Sequence, residues 1–76
     1  MTLNKHRLDG LPSFPSRILD AIKFEQILMD AGYSITASAP ANGDRIKVWW
    51  SHPTYRRIES IYNQDKTIAI TAYHPN

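Results

Sequence analysis

The sequence contains no cysteine, only three glycines among its 76 residues, and no apolar run near the ~18 residues that span a bilayer. Without cysteine, disulfide scaffolds and thiolate metal sites are excluded. Glycine-rich phosphate loops are also excluded, because Gly10, Gly32 and Gly43 each suit a turn or a helix cap. The N-terminus lacks the apolar core of a signal peptide. These absences predict a small, soluble, cytoplasmic protein without a metal or cofactor.

The sequence also lacks a large excess of charge of either sign. Nine Lys and Arg residues against seven Asp and Glu residues give a net charge of +2 at pH 7. Residues 1–38 hold four basic and four acidic residues, whereas residues 39–76 hold five and three, so the excess lies in the second half. A modest basic excess permits a nucleic-acid partner without requiring one.

The chain length suffices for one domain, because so short a chain hides only about 60% of its unfolded surface on folding. Residues 1–15 carry Gly10, Pro12 and Pro15 without a helical or strand period, which predicts an N-terminal arm. Residues 16–76 form the predicted α+β domain. The arm is either a frayed terminus or an ordered segment. If it is ordered, three apolar residues could dock on this domain and three basic residues could reach a polyanion: Leu8, Leu11 and Phe14, and Lys5, His6 and Arg7.

An amphipathic helix is predicted over residues 18–31. Ser16 stands at the N-cap position, and Gly32 followed by Tyr33 is typical of a Schellman ending. The apolar positions recur at steps of three and four residues. They are Ile18, Ala21, Ile22, Phe24, Leu28 and Ala31.

Two alternating runs, 34–39 and 45–50, flank Asn42-Gly43, which is a strong signal for a hairpin. A two-residue loop would place Ala37, Ala39 and Ile35 on the core face. Pro40 cannot donate a ladder hydrogen bond, so the first strand is predicted to be a sheet edge. Residues 57–62 and 67–73 predict a second hairpin, although residues 54–63 also fit a short helix.

The predicted fold is therefore α+β, with one amphipathic helix on one face of a small antiparallel sheet. The preferred order is a four-stranded meander, α-β-β-β-β, and the alternative is α-β-β-α-β. One helix can cover only one sheet face. The other face would carry an exposed Trp49 between Arg45 and Lys47, and Trp49 with Ile61 could also mediate a homodimer.

The end of the predicted sheet gathers a second set of residues. A meander places His52 and His74 about 10 Å apart, with Arg56 and Arg57 beside them. Histidine exchanges protons near neutral pH and arginine can hold a phosphate, so this set could cleave RNA without a metal. Both histidines also precede prolines, which is typical of ordinary strand exits.

No motif identifies a reaction, and the residues favour a non-catalytic protein. The first hypothesis is a binding protein that engages nucleic acid or a nucleoprotein complex. The second is a small phage- or plasmid-type inhibitor of a host protein machine, directed against defence or transcription. The third is a metal-independent endoribonuclease toxin that uses His52 and His74. The predicted binding residues are Arg45, Lys47, Trp49, Tyr55, Arg56, Arg57 and Tyr73.

Overall fold

The computed structural model describes residues 2–75, which form one α-helix and an antiparallel sheet of five strands. A single 3-10 turn over Leu3–Lys5 precedes these elements. The α+β class with one helix is confirmed, whereas the predicted count of four strands is wrong. The elements are β1 (Leu19–Asp20), α1 (Ala21–Asp30), β2 (Ser34–Ala41), β3 (Arg45–Ser51), β4 (Ile58–Tyr62) and β5 (Ile68–Tyr73).

The additional strand lies where the sequence predicted the first turn of the helix. Leu19 pairs with Ala69 and Asp20 pairs with Ile68, so β1 forms the edge of the sheet beside β5. Asp20 rather than Ser16 is the N-cap, because its carboxylate accepts a hydrogen bond from the Lys23 amide at 3.3 Å. The helix therefore begins at residue 21. Pairing with β5 outweighs the local preference for an earlier start.

The predicted C-terminal end of the helix is confirmed. Gly32 has a φ of +97°, and its amide donates to the carbonyl of Met29 at 3.0 Å. The Tyr33 amide donates to the carbonyl of Leu28, also at 3.0 Å, which completes the Schellman motif. Tyr33 is thereby turned into the core.

The sheet order is β1-β5-β4-β3-β2, so the meander from β2 to β5 agrees with the preferred topology. Residues 58–62 are a strand, and the alternative order α-β-β-α-β is wrong. β2 lies at one edge of the sheet, as Pro40 indicated.

The register of the first hairpin differs from the prediction by one residue. Ala41 pairs with Arg45, so the loop has three residues, and its last residue, Asp44, adopts a φ of +58°. As a result, Ala37 and Ala39 lie opposite Trp49 and Lys47 rather than on the core face. A bulge between Ile35 and Ala37 then restores the predicted pairing of Ile35 with Trp50.

The core lies between the helix and the sheet and is dominated by aromatic rings. The Phe24 ring meets Trp50 and Tyr62 edge-on, with ring centroids 6.2 and 5.9 Å apart. Phe14 packs on Phe24 at 5.8 Å, and Leu3, Leu8 and Leu11 are also buried in this core. The N-terminal arm therefore supplies four core side chains.

Two side chains predicted for the buried stripe of the helix are exposed instead. Ile18 is 50% exposed and Ile22 is 78% exposed. Ile18 precedes the helix, and Ile22 lies about 100° from Ala21 around the helix axis, away from the sheet.

Candidate functional site

The sheet face opposite α1, here called the outer face, carries one row of three polar and aromatic side chains. The register pairs Trp49 with Glu59 and Glu59 with Tyr73, so the row crosses β3, β4 and β5. Trp49 points away from the fully buried Trp50, as the alternation predicted. Trp49 and Tyr73 are each half-buried, and they stand two strands apart, about 10 Å.

Glu59 joins the members of this row. Its Oε1 accepts a hydrogen bond from Trp49 Nε1 at 2.8 Å, and its Oε2 accepts from the Tyr73 hydroxyl. Lys47 Nζ lies 3.4 Å from Oε2 and 5.7 Å from the centroid of the Trp49 ring. One carboxylate thus fixes two aromatic side chains and one cation.

The pKa values on the outer face reflect this arrangement. Burial raises the pKa of Glu59, but the hydrogen bonds from Tyr73 and Trp49 and the charge of Lys47 outweigh it, so the pKa lies below its ordinary value. Burial, with the adjacent Glu59, raises the pKa of Tyr73 to about 12. Glu59 is therefore charged and Tyr73 is protonated at neutral pH.

Two further arginines border the outer face. Arg45 alternates with Lys47 and Trp49 along β3, and its side chain is exposed. Arg57 directly precedes β4, in alternation with Glu59, and is exposed as well. Within residues 2–75 neither guanidinium has an acidic partner within 4 Å. Both are free to meet an anion.

His52 lies at the predicted end of the sheet, where its side chain caps the C-terminal end of the helix. His52 Nδ1 accepts hydrogen bonds from the amides of Thr54 and Tyr55 at 3.0 and 3.1 Å. Nε2 therefore carries the proton and donates to the carbonyl of Ala31 at 2.9 Å. His52 thus joins the end of α1 to the loop that follows β3.

His74 is held in the same manner by the arm and by the residue that precedes β4. Its Nε2 accepts from the Asp9 amide at 2.9 Å, so Nδ1 carries the proton and donates to the carbonyl of Arg57 at 2.8 Å. In each of the two histidines, both ring nitrogens therefore form hydrogen bonds with backbone groups. None of these four nitrogens is free to transfer a proton in this arrangement.

Asp9 organises this end of the sheet. Its carboxylate accepts two hydrogen bonds from the Arg56 guanidinium, at 2.9 and 3.0 Å, and its carbonyl accepts from the Tyr33 hydroxyl at 2.8 Å. Arg56, predicted as a phosphate ligand, is therefore engaged by the arm. Tyr55 packs its ring on His52, with centroids 4.5 Å apart. Together these contacts tie the arm to the β3–β4 loop and to the residue after β5.

Acid is expected to weaken this attachment of the arm. The hydrogen bond from Arg56 lowers the pKa of Asp9 to about 2, below the ordinary 3.8. Because the folded carboxyl group binds its proton less readily, its stabilisation is complete above about pH 4 and is lost as the pH falls toward 2. The midpoint of thermal unfolding, measured from pH 5 to pH 2, should therefore fall more steeply for the wild type than for Asp9→Asn. Parallel pH profiles of the two proteins would contradict this role of Asp9.

Apolar surface is exposed on the other side of the sheet. The helix packs against β1 and β5, and β2 is exposed along most of its length. Ile22 and Met29 on α1 are 78% and 49% exposed, and Ile35 on β2 is 44% exposed. A shallow cavity of about 480 Å³ adjoins β2 at the hairpin. Its lining comprises Ser38, Ala39, Pro40, Ala41, Asp44, Arg45, Ile46 and Gln64.

Two residues that organise these surfaces, Glu59 and Asp9, were not among the predicted site residues. Glu59 lies within the predicted strand 57–62, but its role as a shared acceptor depends on the pairing of β3, β4 and β5. Asp9 lies in the arm, 47 residues before Arg56, and no local pattern indicates their contact. The alternation rule could have singled out Glu59 as the acid among the cations of that face.

The described part of the chain contains no group of three His, Cys, Asp or Glu side chains arranged to hold a metal ion. Its one α-helix is too short to cross a membrane. Comparison of the chain with models of protein families, with curated proteins and with solved structures gives no significant match.

Proposed function

We propose that this protein binds nucleic acid through its outer face and catalyses no reaction. The observation that carries the proposal is the separation of charge between the two sides of the sheet. The outer face bears Arg45 and Lys47, with Arg57 at its border, and Glu59 is the one acidic residue in β3, β4 and β5. That carboxylate is occupied by three donors.

The other acidic residues lie elsewhere. Asp20, Glu25 and Asp30 belong to the helix and its cap, Asp44 and Asp65 lie in turns, and Asp9 is bound to Arg56. The N-terminal arm brings two exposed cations, Lys5 and Arg7, toward the outer face, because the ring of His6 between them lies 6.0 Å from the Tyr73 ring. A polyanion would meet mostly cations there.

The dependence of affinity on salt tests this proposal. If Arg45, Lys47 and Arg57 each neutralise one phosphate, the logarithm of the affinity should fall with the logarithm of the salt concentration with a slope of about −2. Affinity for a mixed-sequence oligonucleotide, measured by fluorescence anisotropy, should then drop about 20-fold between 50 and 200 mM salt. Arg45→Gln should reduce the slope by about 0.7, and Lys23→Gln, on the exposed side of the helix, should leave it unchanged. Absent or salt-independent binding would reject the proposal.

The ribonuclease hypothesis is the less favoured use of the basic residues. His52 and His74 would have to release a backbone partner before either could act as acid or base. Incubation of total RNA with the wild type, His52→Ala and His74→Ala in EDTA tests it. Cleavage by the wild type alone would establish a catalytic role that the geometry does not favour.

A protein partner is a second candidate, favoured by the exposed Ile22, Met29 and Ile35. Exposed apolar side chains of this size gain stability when a partner covers them. This surface suits the hypothesis of a small protein inhibitor. Co-purification after nuclease treatment tests it, with Ile22→Gln as the variant and Lys23→Gln as the control at the adjacent exposed position. A partner that is retained by the control and lost from Ile22→Gln would favour this candidate.

A further inference from the structure

The polar row of the outer face positions two aromatic rings that have no role in the core. Trp49 and Tyr73 both lean toward Glu59, which lies between them on β4, because each donates a hydrogen bond to one of its carboxylate oxygens. A side chain held in this manner loses little rotamer freedom on binding. The two rings are therefore ordered before any ligand arrives.

Each of the two rings also contacts a neighbour other than Glu59. Lys47 lies over the Trp49 ring, and His6 packs beside the Tyr73 ring at an interplanar angle of 59°. Both aromatic residues nevertheless remain partly exposed. The strands that carry them lie about 10 Å apart across β4, and each residue keeps exposed surface on which a base can stack.

We propose that Trp49 and Tyr73 form a stacking platform for the bases of single-stranded nucleic acid, with Glu59 as the residue that positions both rings. This inference rests on the proposed function and names its ligand class. Stacking on aromatic rings needs bases that are not paired, and a flat sheet face has no helix or ribbon to enter a groove of duplex DNA. Arg45, Lys47 and Arg57 then contact the phosphates.

The fluorescence of tryptophan offers a direct test, because Trp50 serves as an internal reference. Trp50 is fully buried and donates its Nε1 hydrogen to Ser60 Oγ, so its emission should not respond to a ligand on the outer face. Single-stranded DNA, single-stranded RNA and a duplex of the same sequence are added to the wild type. Quenching by either single strand, with the duplex bound at least 10-fold more weakly, supports the platform.

Two pairs of variants separate stacking from charge and from folding. Trp49→Ala should weaken single-strand binding by about 5- to 100-fold, whereas Trp49→Phe should retain most of it. Glu59→Leu and Glu59→Gln both remove the negative charge, but only Gln keeps an acceptor for the rings. Glu59→Gln should therefore bind the single strand at least 5-fold more tightly than Glu59→Leu does. Equal affinities of the two variants would overturn the positioning role.

The outcomes distinguish this inference from the proposed function on which it rests. Equal binding of single strand and duplex, with a normal salt slope, overturns the platform and leaves nucleic-acid binding standing. Single-strand binding that is unaffected by Trp49→Ala overturns the platform in the same way. Absence of binding to all three nucleic acids overturns both. Far-UV circular dichroism of each variant verifies that the sheet is intact.

Discussion

Replacement of Phe24 by alanine is expected to lower the free energy of unfolding by about 3–5 kcal/mol. Phe24 is fully buried at the centre of the core, where its ring contacts Phe14, Trp50 and Tyr62. The substitution removes the apolar contact area and leaves a cavity that the surrounding rings cannot fill without leaving their edge-on geometry. Each partner ring belongs to a different segment, so the loss affects the arm, β3 and β4 together.

The effect is large relative to the total stability expected of such a chain. A domain of this length is typically stable by about 4–11 kcal/mol, so Phe24→Ala should remove a large fraction of the free energy of unfolding. Thermal unfolding monitored by tryptophan emission should show a midpoint lowered by more than about 10 °C. Ile22→Ala is the matched control on the same helix, because Ile22 is 78% exposed and its truncation should change the midpoint little. Similar losses for both variants would contradict the assigned packing of the helix.

The contrast between Phe24 and Ile22 also shows what the sequence can predict. A 3.6-residue period identifies the helix but not the width of its buried stripe, because both residues fit the pattern. The width of the buried stripe depends on which other segments pack against the helix. The C-terminal end of the helix is predicted better, because Gly32 adopts a positive φ and glycine is the residue type that does so without strain.

The strands show a similar division between local and non-local causes. The meander from β2 to β5 follows from alternation and turn residues, which are local signals. The two-residue strand β1 depends on the free edge of β5, which no local pattern near Leu19 reveals. The hairpin register depended on whether Asp44 belongs to the loop, and a non-glycine residue with positive φ is hard to foresee.

The candidate site follows the same rule. Alternation alone predicts that Trp49 and Lys47 share a face opposite Trp50, and the structure agrees. The contacts that fix their side chains involve Glu59 and Tyr73 from the second hairpin, whose first strand the sequence left open against a short helix over 54–63. A basic and aromatic face could therefore be predicted, but its central carboxylate could not be assigned a role.

The N-terminal arm provides the second large expected effect. Leu8 is 3% exposed, and the next residue, Asp9, holds Arg56 and His74. Leu8→Ala is expected to lower the free energy of unfolding by about 2–5 kcal/mol, as for other buried leucines. A frayed terminus would give almost no change, so the measurement separates an integral segment from a loosely attached one.

Lys5→Ala is the control for this experiment, because Lys5 belongs to the same arm and is exposed. Its effect on the free energy of unfolding should stay within about 0.5 kcal/mol, as is usual for surface positions. Amide hydrogen exchange adds an independent readout, since the Leu3 amide donates to the carbonyl of Arg17 at 2.9 Å. In the wild type this amide should exchange only by global unfolding, together with the amides of β3 and β4. Fast exchange at Leu3, with slow exchange in the sheet, would show that the arm detaches by itself and would remove it from the core.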